Sequence, residues 1–134
     1  MKLLKLEVTG LPLFKEKCEI DFLSLQRVSA DNADKMSKVF VNSTNEFYQN
    51  NVLSFIGINA SGKTTILKLI TFVCRMLNNE PINSIEASEI LDDLAENQYI
   101  TFKTYFSARN KETFPFTDGI AINLLETTIA KTKE

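Results

Sequence analysis

The chain has 134 residues, 44% of them hydrophobic and 24% charged, with a formal net charge of -2. That length and balance suit one globular domain with a real core and exclude disordered, collagen-like and coiled-coil chains. The charge advertises no nucleic-acid partner, and the complete absence of histidine removes Ser-His-Asp and Cys-His nucleophile pairs and every zinc site that needs imidazole.

Residues 2–9 alternate, with Leu4, Leu6 and Val8 on one face and Lys5, Glu7 and Thr9 on the other, which predicts a half-buried strand. Gly10-Leu11-Pro12-Leu13 breaks it, and alternation resumes at Cys18, Ile20 and Phe22, so the strands within 2–22 are expected as antiparallel neighbours. From 23 to 51 the chain turns polar; only Val39-Phe40-Val41 reads as strand, and the stretch is expected to be an irregular surface excursion. Val52-Leu53-Ser54-Phe55-Ile56 is nearly continuous in apolar residues, the pattern of a strand buried on both faces.

A helix is expected from Gly62 to Leu77, because Ile66, Leu69, Ile70, Val73 and Leu77 recur at helical spacing, with Lys68 and Arg75 on the wetter side. Asn78-Asn79-Glu80-Pro81 ends it. A second helix is expected over 84–96, with Ile85, Ile90, Leu91 and Leu94 as its apolar positions and its carboxylates in water. Tyr99 to Phe106 is rich in β-formers. Ser107 to Thr117, with Pro115, reads as a connection, and Asp118-Gly119 opens a run from Ile120 to Leu125 that would close a hairpin. Residues 126–134 are polar and expected to fray.

Two cysteines, Cys18 and Cys74, have no CxxC partner and fit the reduced thiols of a cytoplasmic protein. The opening apolar run is too short for a signal peptide, and no stretch reaches the roughly 18 apolar residues that span a bilayer, so no membrane is expected.

One motif carries chemistry. Gly57-Ile58-Asn59-Ala60-Ser61-Gly62-Lys63-Thr64 satisfies the P-loop pattern GxxxxGK[ST] in full, between an apolar run and an amphipathic helix. Gly57 lets the chain leave the preceding run sharply, and Gly62 lets backbone approach a phosphate without a Cβ. Backbone N–H groups from Asn59 through Ala60, Ser61, Gly62, Lys63 and Thr64 to Thr65 would form an anion nest at the positive end of the helix. Lys63 would serve the β- and γ-phosphates, the Thr64 hydroxyl Mg²⁺, and Thr65 the α-phosphate; the expected ligands are therefore ATP and Mg²⁺.

Hydrolysis needs more than this loop: a Walker B acid ending a second buried strand and a residue that positions water. The run Ile120–Glu126 imitates such a strand, but Asn123 interrupts it and ordinary hairpin strand accounts for it better. Asp92 and Asp93 fall in a helical pattern, Asn110-Lys111-Glu112-Thr113 lacks the aspartate of a guanine-reading motif, and Lys103, Arg109 and Lys111 read as a solvated turn.

The opening Leu-x-Leu-x-Val-x-Gly-Leu-x-Leu-Phe, Cys18-Glu-Ile-Asp-Phe22, and the Gly-x-Asn-Ala-Ser-Gly-Lys form of the loop resemble the N-terminal lobe of ABC-type AAA-domain ATPases. The group is that of the structural maintenance of chromosomes proteins, RecF and the overcoming-lysogenization-defect nucleases. The resemblance covers residues 1 to about 78. It implies an α/β fold, a partial P-loop NTPase lobe with N-terminal antiparallel strands and a buried strand–P-loop–helix at 52–78, to which the residue pattern adds a helix and C-terminal β-hairpin at 84–126. It also implies that 1–134 is a single ATP-binding lobe of a larger ATPase, completed by a C-terminal lobe in cis or trans and by a homodimer partner head. Nucleic acid enters only through this resemblance. Two other classes stay open: a non-catalytic nucleotide-dependent interaction module, and a self-contained P-loop hydrolase or transferase with Glu126 as its acid.

Overall fold

Period-two alternation builds most of the regular structure. In the computed structural model, which describes residues 1–14, 16–24, 27–42, 45–58, 62–109 and 120–131, the first expected strand is β1 (Lys2–Thr9) and the second is β2 (Lys17–Asp21). A short helical turn, α1 (Ala30–Ala33), and two strands, β3 (Ser37–Asn42) and β4 (Asn45–Gln49), follow. Then come α2 (Lys63–Leu77), two 3₁₀ segments (Ile82–Ser84 and Glu86–Leu91), β5 (Tyr99–Arg109) and β6 (Ile120–Ala130). The long strands form a four-stranded sheet in the order β2-β1-β5-β6, and β3 and β4 form a separate two-stranded sheet.

The chain divides into two compact units. The first holds residues 1–6, 19–54 and 104–125, and the second 7–18, 55–103 and 126–134. In the first, Leu4 and Leu6 are buried with Ile20 and Val39. The Phe22 amide donates to the Leu4 carbonyl (2.9 Å) and Lys5 pairs with Glu19 (2.9 Å), so residue numbers run in opposite directions and β1 and β2 lie antiparallel. The solvent face carries that ion pair, with the Lys5 ammonium 5.9 Å from the Tyr105 ring centre.

The expected irregular excursion contains an antiparallel hairpin instead. β3 and β4 pair Ser37 with Gln49 and Phe40 with Phe47, and these two rings stack with centres 4.2 Å apart. Aromatic cross-strand pairs are a main source of sheet stability, and they outweigh the polar composition around them. The Ser24 amide donates to the Tyr48 carbonyl (2.8 Å), and the Gln49 amide group donates to the Leu3 carbonyl (2.9 Å), so the hairpin is anchored rather than loose.

In the second unit α2 buries Leu69, Phe72 and Val73, and the Phe72 and Phe102 rings meet at 5.5 Å between centres. The buried stripe therefore includes Phe72, while Ile66, Ile70 and Leu77 are half-buried and Leu67 is exposed. The helix expected at 84–96 exists only as the 3₁₀ segments and turns; it keeps Ile85, Ile90 and Leu94 buried and its carboxylates Glu86, Glu89, Asp92 and Asp93 exposed. Short 3₁₀ pieces supply the same inward spacing without a continuous helix.

β5 and β6 are neighbours as the hairpin reading required. Thr101 meets Thr128 (3.1 Å) and Lys103 meets Glu126 (3.6 Å), opposed numbering that makes the pair antiparallel. Both strands outrun expectation: β5 continues through Ser107 to Arg109, and β6 runs to Ala130 rather than fraying after Leu125. Thr127, Thr128 and Ile129 are β-branched, which favours extended backbone where polarity alone suggested a tail. The Asp118-Gly119 turn, Pro115 and the Asn110–Thr113 stretch lie outside the described residues.

The clearest correction is Val52–Ile56. It is not a strand and it is not buried: Val52 is 80% exposed and Ile56 96%. A continuous apolar run makes a strand only where neighbours flank it and layers cover both faces. The four-stranded sheet does not include it. Among the described residues, no helix is long and apolar enough to cross a membrane. Both cysteines are free thiols, and burial pushes each above its ordinary pKa.

Candidate functional site

The end of the motif is well defined by local physics. Gly62 sits at φ 83° and ψ 10°, left-handed backbone that a side chain adopts at a cost, and it is the residue from which α2 starts. A Cβ placed there would also stand 3.0 Å from Leu13 Cδ2 and 3.5 Å from the Phe14 ring. Glycine is thus favoured at this position by conformation, while the crowding comes from the end of a side chain that is able to shift.

The first α-helical bond of α2 runs from the Ile66 amide to the Gly62 carbonyl (3.0 Å). The amides of Lys63, Thr64 and Thr65 precede it, have no helical acceptor among the described residues, and lie at the positive end of the helix dipole. The Lys63 ammonium turns back along the chain and donates to the carbonyls of Gly57 (2.8 Å) and Ile58 (2.6 Å). That brings Gly57, Lys63 and the start of α2 together. Thr64 is exposed and Thr65 half-exposed, so the Thr64 hydroxyl is open to a hard cation and Thr65 to an anion. Asn59, Ala60 and Ser61 lie outside the described residues.

A cavity of about 340 Å³ opens beside Thr65, with Leu11, Leu13, Lys68, Glu89 and Asp93 among its walls. Lys68 and Glu89 pair across 2.6 Å, joining α2 to the second 3₁₀ segment. Sequence reading placed Lys68 and Asp93 on solvated faces and gave Glu89 no role. The three share a wall through packing between elements that no local spacing encodes.

The other acids give no second half to the site. Glu126 pairs with Lys103 on the β5–β6 hairpin, and Asn123 donates to the Ala121 carbonyl of its own strand (3.3 Å). Among the described residues, no group of three or more Cys, Asp or Glu side chains is placed to hold a metal ion.

No protein-family model, no curated protein and no solved structure matches this chain.

Proposed function

We propose that the chain binds Mg²⁺-ATP through residues 57–65, as the N-terminal ATP-binding lobe of a cytoplasmic ABC-type ATPase of the kind its sequence resembles. The observation that carries this reading is the complete Gly57-x4-Gly62-Lys63-Thr64 spacing leading directly into α2, with Gly62 in left-handed backbone at its first turn. The residues present fit the ligand. Three helix amides and the Lys63 ammonium are donors suited to phosphate oxygens, and the Thr64 hydroxyl is suited to Mg²⁺. Binding would exchange the two carbonyl acceptors of Lys63 for charged phosphate oxygens, a stronger class of hydrogen bond.

The bound nucleotide would bring its own phosphoanhydride for cleavage; this chain's residues would hold and orient it. The acid, the signature loop and the water-positioning residue would come from a C-terminal lobe and a partner head. The apolar run Val52–Ile58 supports such completion, because Val52, Ile56 and Ile58 are 80%, 96% and 83% exposed and are suited in composition to an added layer. The same exposure also favours the interaction-module reading, in which the lobe binds nucleotide and a partner without turnover. A self-contained hydrolase using Glu126 is disfavoured by the Lys103 pairing of that carboxylate.

Calorimetric titration of ATP with Mg²⁺ into the wild-type chain and into Lys63→Ala tests the binding. A saturable signal weakened at least tenfold in the variant is expected; equal heats in both proteins would overturn the proposal. Thr64→Val should bind ATP with a reduced dependence on Mg²⁺.

A further inference from the structure

A second cavity, of about 420 Å³, lies within the first unit, with Lys2, Lys38, Val39, Ser107, Arg109 and Ile120 among its walls. Three cationic side chains reach it from three different strands or strand ends, and among the described residues no carboxylate lines it, in a chain whose net charge is -2. Lys38 has a carboxylate partner in Glu46. Lys2 and Arg109 are exposed, and among the described residues neither side chain makes an ion pair or hydrogen bond.

The backbone has a feature that builds this wall. The β3–β4 register slips between Lys38 and Phe40: Lys38 opposes Tyr48 and Phe40 opposes Phe47, which leaves Val39 as the extra residue of a bulge. A regular strand sends consecutive side chains to opposite faces, whereas a bulge turns two of them to one side. Lys38 and Val39 both line the cavity for that reason. Across from them, Ser107 is 6% exposed, the last buried position of β5, and Arg109 follows two residues later. The result is a floor of Val39 and Ser107 under a cationic rim.

We infer that this cavity binds a small phosphorylated molecule, its phosphate held by Lys2, Lys38 and Arg109 and its organic part set against Val39 and Ile120. Two unengaged cations with a third already held in place by Glu46 favour a multiply charged anion, and a guanidinium matches phosphate oxygens in a fork. The volume lies within the range of about 300–1,000 Å³ usual for small-molecule sites, larger than a bare phosphate needs. None of these residues belongs to the 57–65 loop, so the inference stands apart from the Mg²⁺-ATP proposal.

The test uses the chain carrying Lys63→Ala, so that the loop lysine contributes nothing, titrated at low salt with inorganic pyrophosphate, with AMP and with adenosine. Saturable binding of pyrophosphate or AMP and none of adenosine is expected, weakening as salt rises. Adding Lys2→Gln and Arg109→Gln should lower the affinity at least tenfold. Tighter AMP than pyrophosphate would place the organic part in the cavity, and the reverse would make the phosphate group alone the ligand. Undiminished affinity in the glutamine variant, or no saturable binding of either probe at about 1 mM, would overturn the inference. Circular dichroism checks the fold, and Lys2→Gln alone, at an exposed strand end, carries the same expectation with a smaller loss.

Discussion

Two apolar stretches of this chain meet opposite fates. Leu4, Leu6 and Val8, separated by polar residues, are 2%, 0% and 0% exposed, while Val52, Ile56 and Ile58, in a nearly unbroken apolar run, are 80%, 96% and 83% exposed. The difference lies in what each pattern demands of the rest of the chain. Alternation asks for cover on one face, which α2 gives β5 through Phe72 and Phe102. A continuous run asks for strands on both sides and layers on both faces, and the sheet β2-β1-β5-β6 does not include it.

The sharpest way to break that comparison is to cut into the alternating side. Phe102 is fully buried on β5 against Phe72. Phe102→Ala should cost about 3–5 kcal/mol, from lost transfer energy and the cavity left behind. Urea denaturation measures it, and a loss of less than about 1 kcal/mol would show that this face is not the core. Gly10→Ala comes next. Gly10 has φ 86°, and a Cβ there would lie 2.0 Å from the Tyr99 carbonyl oxygen, so backbone must move to admit it. A cost of about 1–3 kcal/mol is expected from the strained conformation and the displaced contact. Gly62→Ala should cost less, about 1 kcal/mol, because its closest neighbour is the end of the Leu13 side chain, which is able to yield.

What the sequence made legible follows the same division. β1, β2, α2 and β5 were readable because their patterns are local and are answered within the chain: Leu69 and Val73 keep the inward spacing that helix periodicity assigns them. The β3–β4 hairpin was not, because what holds it is a cross-strand ring pair, Phe40 with Phe47, and hydrogen bonds to residues distant in sequence, inside a polar stretch. At the candidate site, Gly57, Gly62, Lys63 and Thr64 were legible because phosphate-binding loops fix residue types at fixed spacing. The cavity of Lys2, Lys38 and Arg109 was not, since these residues are distant in sequence and a strand bulge at Val39 lies beside one of them.

Smaller effects sharpen the picture. Thr104 is fully buried, yet its hydroxyl has no hydrogen-bond partner among the described residues. Thr104→Val keeps the shape and removes an unsatisfied polar group, so it should be neutral or stabilising by about 1 kcal/mol. A comparable loss would mean that the hydroxyl has a partner in solution. Breaking the Lys68–Glu89 pair with Lys68→Ala should cost about 0.2–1 kcal/mol, as both side chains are substantially exposed, and the cost should shrink further in high salt.

The smallest expected effect discriminates best. Ile56→Ser removes a large apolar side chain, a change that costs several kcal/mol in a core, but Ile56 is 96% exposed and its replacement should stay within about 0.5 kcal/mol. Hydrogen exchange should agree, with the amides of 53–58 exchanging rapidly and those of Leu69 to Val73 protected, since only the latter sit in a buried stretch of helix. A large destabilisation by Ile56→Ser would mean that the run is covered in solution by the chain itself. If stability is untouched, the same variant becomes a clean probe of completion. Under the proposed function it should weaken association with the proposed C-terminal lobe while leaving the proposed Mg²⁺-ATP binding by Lys63 and Thr64 in place, because Ile56 offers apolar surface and the loop would offer the donors.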